Sequence, residues 1–104
     1  MKKDTRLLAF SELERITRLM LDQAECGDWE DVEALERKRK SCLSEFSFDL
    51  STDDNPQLQS ILIRVLDCDR RVMELARIRQ IELEKQLGRL SHGRKAHRAY
   101  INQA

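Results

Sequence analysis

The longest regular feature of the chain is a helical pattern of apolar residues from Pro56 to about Leu90. Apolar side chains recur there at intervals of three and four, which places them on one stripe of an α-helix. The stripe comprises Leu58, Leu62, Val65, Leu66, Val72, Met73, Ala76, Leu83, Leu87 and Leu90. Asn55 is a favourable N-cap, Pro56 suits the first helical position, and Gly88 is the first stop signal. The pattern predicts a helix over about residues 56–90 with this stripe in the core.

Two shorter helical patterns precede this one. The first predicts a helix over about residues 5–26, ended by Gly27 in a left-handed conformation. Its apolar face comprises Leu7, Leu8, Leu13, Ile16, Met20 and Ala24, flanked by Phe10 and Leu21. The second predicts a helix over about residues 29–46, capped by Asp28. Its buried stripe comprises Trp29, Val32, Leu35, Cys42, Leu43 and Phe46, with Arg39 on or beside it. A loop follows, under which Phe48 and Leu50 are expected to pack.

The C-terminal segment differs in charge from the rest of the chain. No acidic residue follows Glu84, and the bases Lys85, Arg89, Arg94, Lys95 and Arg98 lie beyond it. Gly93 separates the segment from the long helix, and residues 94–101 have room for two further helical turns. We therefore expect a bundle over residues 1–90 and a basic helix or tail over residues 91–104, which Gly88 and Gly93 would allow to move.

These elements predict an all-α fold. Charged residues make up 37% of the chain and aromatic residues 5%, a balance typical of helical proteins. Short connections favour antiparallel neighbours, so we expect helices one and two to fold against the long third helix as a three-helix bundle.

Composition and motifs exclude several classes of function. The formal net charge is zero, and the cluster from Arg37 to Lys40 is best interpreted as a solvated helix face rather than a nucleic-acid site. No signal peptide or membrane span is recognisable, so we expect a cytoplasmic protein. The three cysteines, Cys26, Cys42 and Cys68, are interpreted as small buried or half-buried apolar groups in a reducing compartment. His92 and His97 are badly spaced for metal binding, and we expect no enzyme, metal or cofactor.

The far side of the long helix is the feature most suggestive of function. Ile63, Ile78 and Ile81 lie roughly opposite the main stripe, and Leu75 lies at its shoulder. Two interpretations stand: other parts of the chain cover these residues, or they form a contact surface for a partner helix or a second copy. Asp69 falls within the apolar stripe, where it either pairs with a base such as Arg39 or sets the register of a seam.

The residues also resemble a known family. Leu66-Asp67 precedes Val72, Leu75, Ile78-Arg79 and Glu82-Leu83, Asp28-Trp29 opens helix two, and Gly93-Arg94-Lys95-Ala96 is followed by Ala99-Tyr100. In these motifs and in helix layout, the chain resembles the bacterial flagellar protein FliT family over nearly its whole length.

This resemblance implies a cytoplasmic chaperone of flagellar type III export. Such a protein binds the C-terminal region of the filament-cap protein, prevents early polymerisation and delivers it to the export ATPase complex. Some family members also inhibit the flagellar master transcriptional activator. Combined with the far-face pattern, the resemblance predicts partner binding by Ile63, Leu75, Ile78, Arg79, Ile81 and Glu82. It also implies a regulatory tail with Arg94, Lys95, Ala99, Tyr100 and Ile101.

Other functions remain open at this point. One alternative is a chaperone for the hook–filament junction proteins, and another is a small helical module that regulates transcription or binds nucleic acid. We expect no direct nucleic-acid or membrane contact, and two apolar faces on one helix are compatible with a homodimer.

Overall fold

The chain folds into three α-helices. A computed structural model describes the backbone of residues 5–45 and 55–103 and the side chains of residues 6–45 and 55–90. Helix α1 spans Thr5–Cys26, α2 spans Trp29–Glu45 and α3 spans Pro56–Gln103, which confirms the all-α prediction. Phe46, Phe48 and Leu50, which were predicted to pack against the bundle, lie outside the described part of the chain. Over the described ranges, no helix is long and apolar enough to cross a membrane.

The turn between α1 and α2 follows the predicted chemistry. Gly27 has φ 79°, a left-handed backbone conformation that residues with a Cβ atom rarely adopt. The Gly27 N–H donates to the Ala24 carbonyl at 3.1 Å, and the Asp28 N–H donates to the Gln23 carbonyl at 2.9 Å. These bonds satisfy carbonyls at the end of α1. The Asp28 carbonyl then accepts from the Val32 N–H, so Asp28 is the cap of α2 as expected.

Helix α3 begins as predicted but ends much later. The Asn55 side-chain oxygen accepts hydrogen bonds from the backbone N–H groups of Gln57 and Leu58 at 3.0 and 3.2 Å. The helix then runs for 48 residues through Gly88 and Gly93. The predicted end near Leu90 and the separate C-terminal helix are therefore wrong. A single glycine lowers helix stability by only about 1 kcal/mol, which good helix formers on both sides offset.

Helix α1, rather than α3, lies at the centre of the bundle. It packs against both α2 and α3, and it supplies the largest share of the buried side chains. These are Ala9, Phe10, Leu13, Ile16, Thr17, Met20 and Ala24. The expectation that helices one and two pack around α3 is thus corrected, because the broad apolar face of α1 serves both neighbours. Leu8, by contrast, is exposed.

Two hydrophobic clusters show that the three helices run up, down and up. Near the start of α1, Phe10 and Leu13 pack with Leu58, Ile61 and Val65 of α3. Near its end, the cluster comprises Ile16, Met20 and Ala24 of α1, Val32 and Cys42 of α2, and Val72 of α3. Helices α1 and α3 are therefore parallel, and α2 is antiparallel to both.

The cysteines are free, and they differ in burial. Cys42 is buried and Cys68 half-buried, whereas Cys26 is exposed, contrary to the prediction. Burial raises the pKa of the Cys42 thiol, which favours the protonated form in the core.

Candidate functional site

The apolar stripe predicted on α3 separates into two seams, of which only one is buried. The inner seam comprises Leu58, Ile61, Val65, Cys68, Val72 and Leu75, which follow one another at intervals of three and four. Each of these residues is buried or half-buried. The next positions in the same register are Arg79, Glu82 and Gln86, so this seam becomes polar close to where α1 ends. The inner seam is the face of α3 that holds the bundle together.

The outer seam is largely exposed. It comprises Leu62, Leu66, Asp69, Met73, Ala76, Gln80, Leu83, Leu87 and Leu90, with intervals of four and three alternating throughout. Leu66, Met73 and Leu87 are 53%, 65% and 64% exposed. The seam extends over about 42 Å at 1.5 Å per residue. The prediction that these residues are core is wrong for most of them, because α1 covers one face of α3 and this stripe is wider than that face.

A cleft between α2 and α3 runs along the middle of the outer seam. Its volume is about 540 Å³, and Met20, Val32 and Val72 of the core line it. Met73 and Ala76 of the outer seam line it on the α3 side, and Trp29 lines it from α2. The cleft exists because α1 packs against both neighbours, so that the described parts of α2 and α3 meet mainly through long side chains. It gives the outer seam a concave, mostly apolar middle section.

A half-buried ion network borders the cleft on one side. Arg39 of α2 donates to Asp69 Oδ1 at 2.8 Å and to Glu36 Oε2 at 2.5 Å, and it lies 3.5 Å from Thr17 Oγ1. The fully buried Thr17 hydroxyl in turn donates to the Leu13 carbonyl at 2.7 Å. The predicted pairing of Asp69 with Arg39 is confirmed. It gives the carboxylate of Asp69, a polar residue of the outer seam, a hydrogen-bond donor from within the chain itself.

Arg79 and Trp29 border the cleft at its other end. The Arg79 guanidinium carbon lies 5.4 Å from the centroid of the Trp29 ring, a cation–π contact between α3 and α2. Arg79 is therefore on the α2 side of α3. At 100° per residue it is roughly 160° away from Ile81, so the structure does not place the two predicted partner-binding residues on one surface.

The far-face residues are partly brought together. Ile78 and Ile81 are 49% and 42% exposed and lie one helical turn apart, whereas Leu75 is half-buried and packs against the core cluster. Glu82 lies beside them and pairs with Lys85 at 4.0 Å, with both side chains exposed. Ile63 is 59% exposed but lies about 22 Å along the helix from Ile78. Ile78 and Ile81 thus form one small patch, and Ile63 is separate from it.

An ion pair between Arg64 and Glu14 links the first part of α3 to α1, far from the distal half of α3. Arg64 Nε donates to Glu14 Oε2 at 2.6 Å, and Arg18 also approaches Glu14 at 3.3 Å. The hydrogen bond from Arg64 is the main reason that the pKa of Glu14 is lowered from its ordinary value.

Comparison with known proteins now adds the decisive observation. A family model described as flagellar protein FliT matches residues 8–102, nearly the whole chain. The chain belongs to the FliT family. This membership indicates a flagellar export chaperone, since FliT is a family of chaperones. No curated protein and no solved structure matches the chain.

For this FliT-family chain, the sequence prediction missed the outer seam and the cleft. The signal for the seam was present, because the alternating intervals of four and three from Leu62 to Leu90 are the spacing of a coiled-coil seam. Nothing in the sequence indicated the cleft, which depends on how α2 and α3 sit on α1. The side chains of Arg94, Lys95, Ala99, Tyr100 and Ile101 lie outside the described part of the chain, although the backbone there continues α3.

Proposed function

We propose that this FliT-family chain is a cytoplasmic export chaperone for the flagellar filament-cap protein. It binds an amphipathic helix from the C-terminal region of that protein, which keeps the cap subunits from polymerising early. The complex is then delivered to the export ATPase complex. The observation that carries the proposal is the outer seam of α3, an exposed apolar surface in a protein whose family has a chaperone role.

The shape of the surface supports a helical cargo. Its intervals of four and three match the periodicity with which one α-helix packs against another. The cleft between α2 and α3 buries one side of such a helix, and Leu83, Leu87 and Leu90 continue the contact beyond it. An apolar helix laid into a groove is a recurrent mode of peptide recognition.

The patch of Ile78 and Ile81 is the alternative cargo surface, with Leu75 and Glu82 beside it. One partner helix cannot cover this patch and the outer seam at once, because the two face different sides of α3. We assign the cargo helix to the outer seam, since that surface is longer and concave in its middle. A second small partner, such as a component of the export apparatus, remains compatible with the patch.

Titration calorimetry with the C-terminal segment of the cap protein tests this assignment. Met73→Asp and Leu87→Asp should each weaken binding at least about tenfold, because a carboxylate would be buried unpaired in the contact. Leu8→Asp is the matched control, since Leu8 is 66% exposed on α1 and outside both surfaces.

Loss of binding in Ile78→Asp or Ile81→Asp, with normal binding by Met73→Asp, would move the cargo to the far-face patch. If no variant differs from wild type, or if the wild-type chain binds the junction proteins rather than the cap segment, the cargo assignment is wrong.

The regulatory role of residues 91–104 also stays a proposal. A tail that competes with cargo must bend α3 back, and the helix offers Gly88 and Gly93 as positions with low helix propensity for that bend. Truncation after Leu90 keeps the outer seam whole and should strengthen binding of the cap segment. Unchanged or weaker binding by the truncated chain would contradict regulation by this segment.

A further inference from the structure

The outer seam contains two polar residues, and their surroundings differ. Asp69 already receives a hydrogen bond from Arg39. Gln80 lies farther along the seam and is exposed, and its amide nitrogen donates to Glu84 one turn later at 3.2 Å. The residues before and after it in the seam, Ala76 and Leu83, are apolar. Gln80 is thus the one seam position between Met73 and Leu90 that carries a hydrogen-bonding side chain.

Covering this seam with a partner helix would remove water from the Gln80 amide. An amide has two donors and an acceptor, and leaving them unpaired in an apolar contact is costly. A partner that places a polar side chain opposite Gln80 avoids this cost, whereas a partner shifted by one heptad does not. Single polar residues at seam positions specify the register of coiled coils in this way.

The flanks of the seam indicate the charge of the partner. The positions beside it on the middle and distal part of α3 include Arg70, Arg77, Arg79 and Glu84. Arg70 makes a long, exposed ion pair with Asp67 at 3.9 Å, and Arg79 rests on Trp29. Among the side chains that the structure describes, no carboxylate pairs with Arg77 or Arg79. Flanking charges select coiled-coil partners, so these arginines favour a helix with acidic flanks.

We infer that Gln80 is the register-determining residue of the outer seam. Its partner is a single amphipathic helix that has acidic flanking positions and one polar residue opposite Gln80. This inference takes its surface from the proposed function, but it concerns the kind of helix that the surface accepts and not the identity of the cargo.

Designed peptides test the inference without the cap protein. The probes are four-heptad helical peptides with leucine at the seam positions and glutamate at the flanks. Each member of the set carries one asparagine at a seam position, in a different heptad, and one further peptide has leucine at every seam position. Binding to the full chain is measured by calorimetry for wild type, Gln80→Leu and the matched control Gln86→Leu. Gln86 is also exposed on the distal half of α3, but it occupies a flank of the outer seam and not a seam position.

The wild-type chain should bind the peptide with asparagine at one position about tenfold more tightly than the others. In the other peptides the Gln80 and asparagine amides are left unpaired, which lowers the affinity by roughly that factor. Gln80→Leu should remove this preference and bind an all-leucine peptide more tightly, while Gln86→Leu should keep the wild-type profile. A version of the set with lysine flanks should bind more weakly throughout.

Several results would overturn the inference. These are a flat wild-type profile, a preference that survives Gln80→Leu, equal binding of the lysine-flanked peptides, or no binding of any peptide. A peaked profile together with failure to bind the cap segment would leave the inference standing and reject the proposed cargo. Binding of the cap segment together with a flat peptide profile would reject the inference and leave the proposed cargo standing.

Discussion

At the scale of single residues, two arginines show how one side chain type serves different purposes in this bundle. Arg39 is half-buried, and it links all three helices through Asp69, Glu36 and the buried Thr17. Arg79 lies over an aromatic ring at the mouth of the cleft, without a carboxylate partner among the described side chains. The first arginine is therefore expected to matter for stability, and the second for what the cleft accepts.

Replacing Arg39 by methionine should lower the free energy of unfolding by about 1–3 kcal/mol. The change leaves the carboxylate of Asp69 and the hydroxyl of Thr17 without their shared donor in a half-buried site. Urea denaturation measures the effect. Arg15→Met is the control, because Arg15 pairs with Glu12 on the surface and its loss should change the free energy of unfolding far less than Arg39→Met does. Equal effects of the two changes would contradict a bridging role for Arg39.

The ion pair of Glu14 with Arg64 makes a pH-dependent contribution to stability. The folded pKa of Glu14 is lowered below its ordinary 4.5, so the unfolded state binds the proton more readily. The contribution is therefore present above about pH 4.5 and lost as the pH falls through the lowered pKa of the folded state.

The variant Glu14→Gln should accordingly be about 1 kcal/mol less stable than wild type at neutral pH. This difference should persist down to about pH 5 and shrink below about pH 4. Urea denaturation at several pH values measures it. A difference that is the same at every pH would show that the charge of Glu14 contributes nothing.

At the scale of elements, α3 carries two seams on neighbouring faces, one packed in the bundle and one largely exposed. The inner seam fixes the helix to the bundle and becomes polar after Leu75, while the outer seam continues to Leu90. Because the two seams lie side by side, they appear in the sequence as one broad stripe. Burial by α1 separates the residues that stabilise the fold from those that remain available for a partner.

Alanine substitutions in the two seams should therefore differ in cost. Ile61→Ala in the inner seam should lower the free energy of unfolding by about 2–5 kcal/mol, because Ile61 is 4% exposed in the core. Leu83→Ala in the outer seam should cost less than about 1 kcal/mol, since little contact is lost and alanine is a good helix former. Urea denaturation compares them, and a core-like cost for Leu83→Ala would mean that another part of the chain covers the outer seam.

At the scale of the whole molecule, one long helix extends well beyond a small bundle. The molecule is 83 Å long and about 22 Å across, whereas α1 is about 33 Å long at 1.5 Å per residue. All described side chains from Ala76 to Leu90 are exposed. Most of the stability of a helix in a protein comes from packing against its neighbours. A partner that covers the outer seam would therefore also stabilise this exposed part of α3.

Hydrogen exchange should reflect this division. Backbone amides between residues 58 and 75 should exchange slowly, because they open only when the bundle unfolds, whereas those between 80 and 90 should exchange quickly. Adding the C-terminal segment of the cap protein should slow exchange at residues 80–90. Slow exchange there in the free protein would indicate that the distal part of α3 packs against something in the absence of cargo.

Local sequence signals were enough for much of the fold and the family. The N-cap at Asn55, the left-handed Gly27 and the three apolar periodicities depend on neighbouring residues, and they predicted the helix starts and the turn. The pairing of Arg39 with Asp69 was also predicted, because both interrupt apolar stripes and have opposite charges. The FliT resemblance rested on motifs that can be read directly from the chain.

Only the tertiary structure decided which apolar residues are hidden. Periodicity gives the face of a helix on which a side chain lies, but burial depends on which neighbour covers that face. The central position of α1 buried Ile61, half-buried Leu75, left Met73 and Leu87 exposed, and opened the cleft between α2 and α3. The continuation of α3 through Gly88 was likewise undecided by sequence, because a lone glycine weakens a helix without ending it.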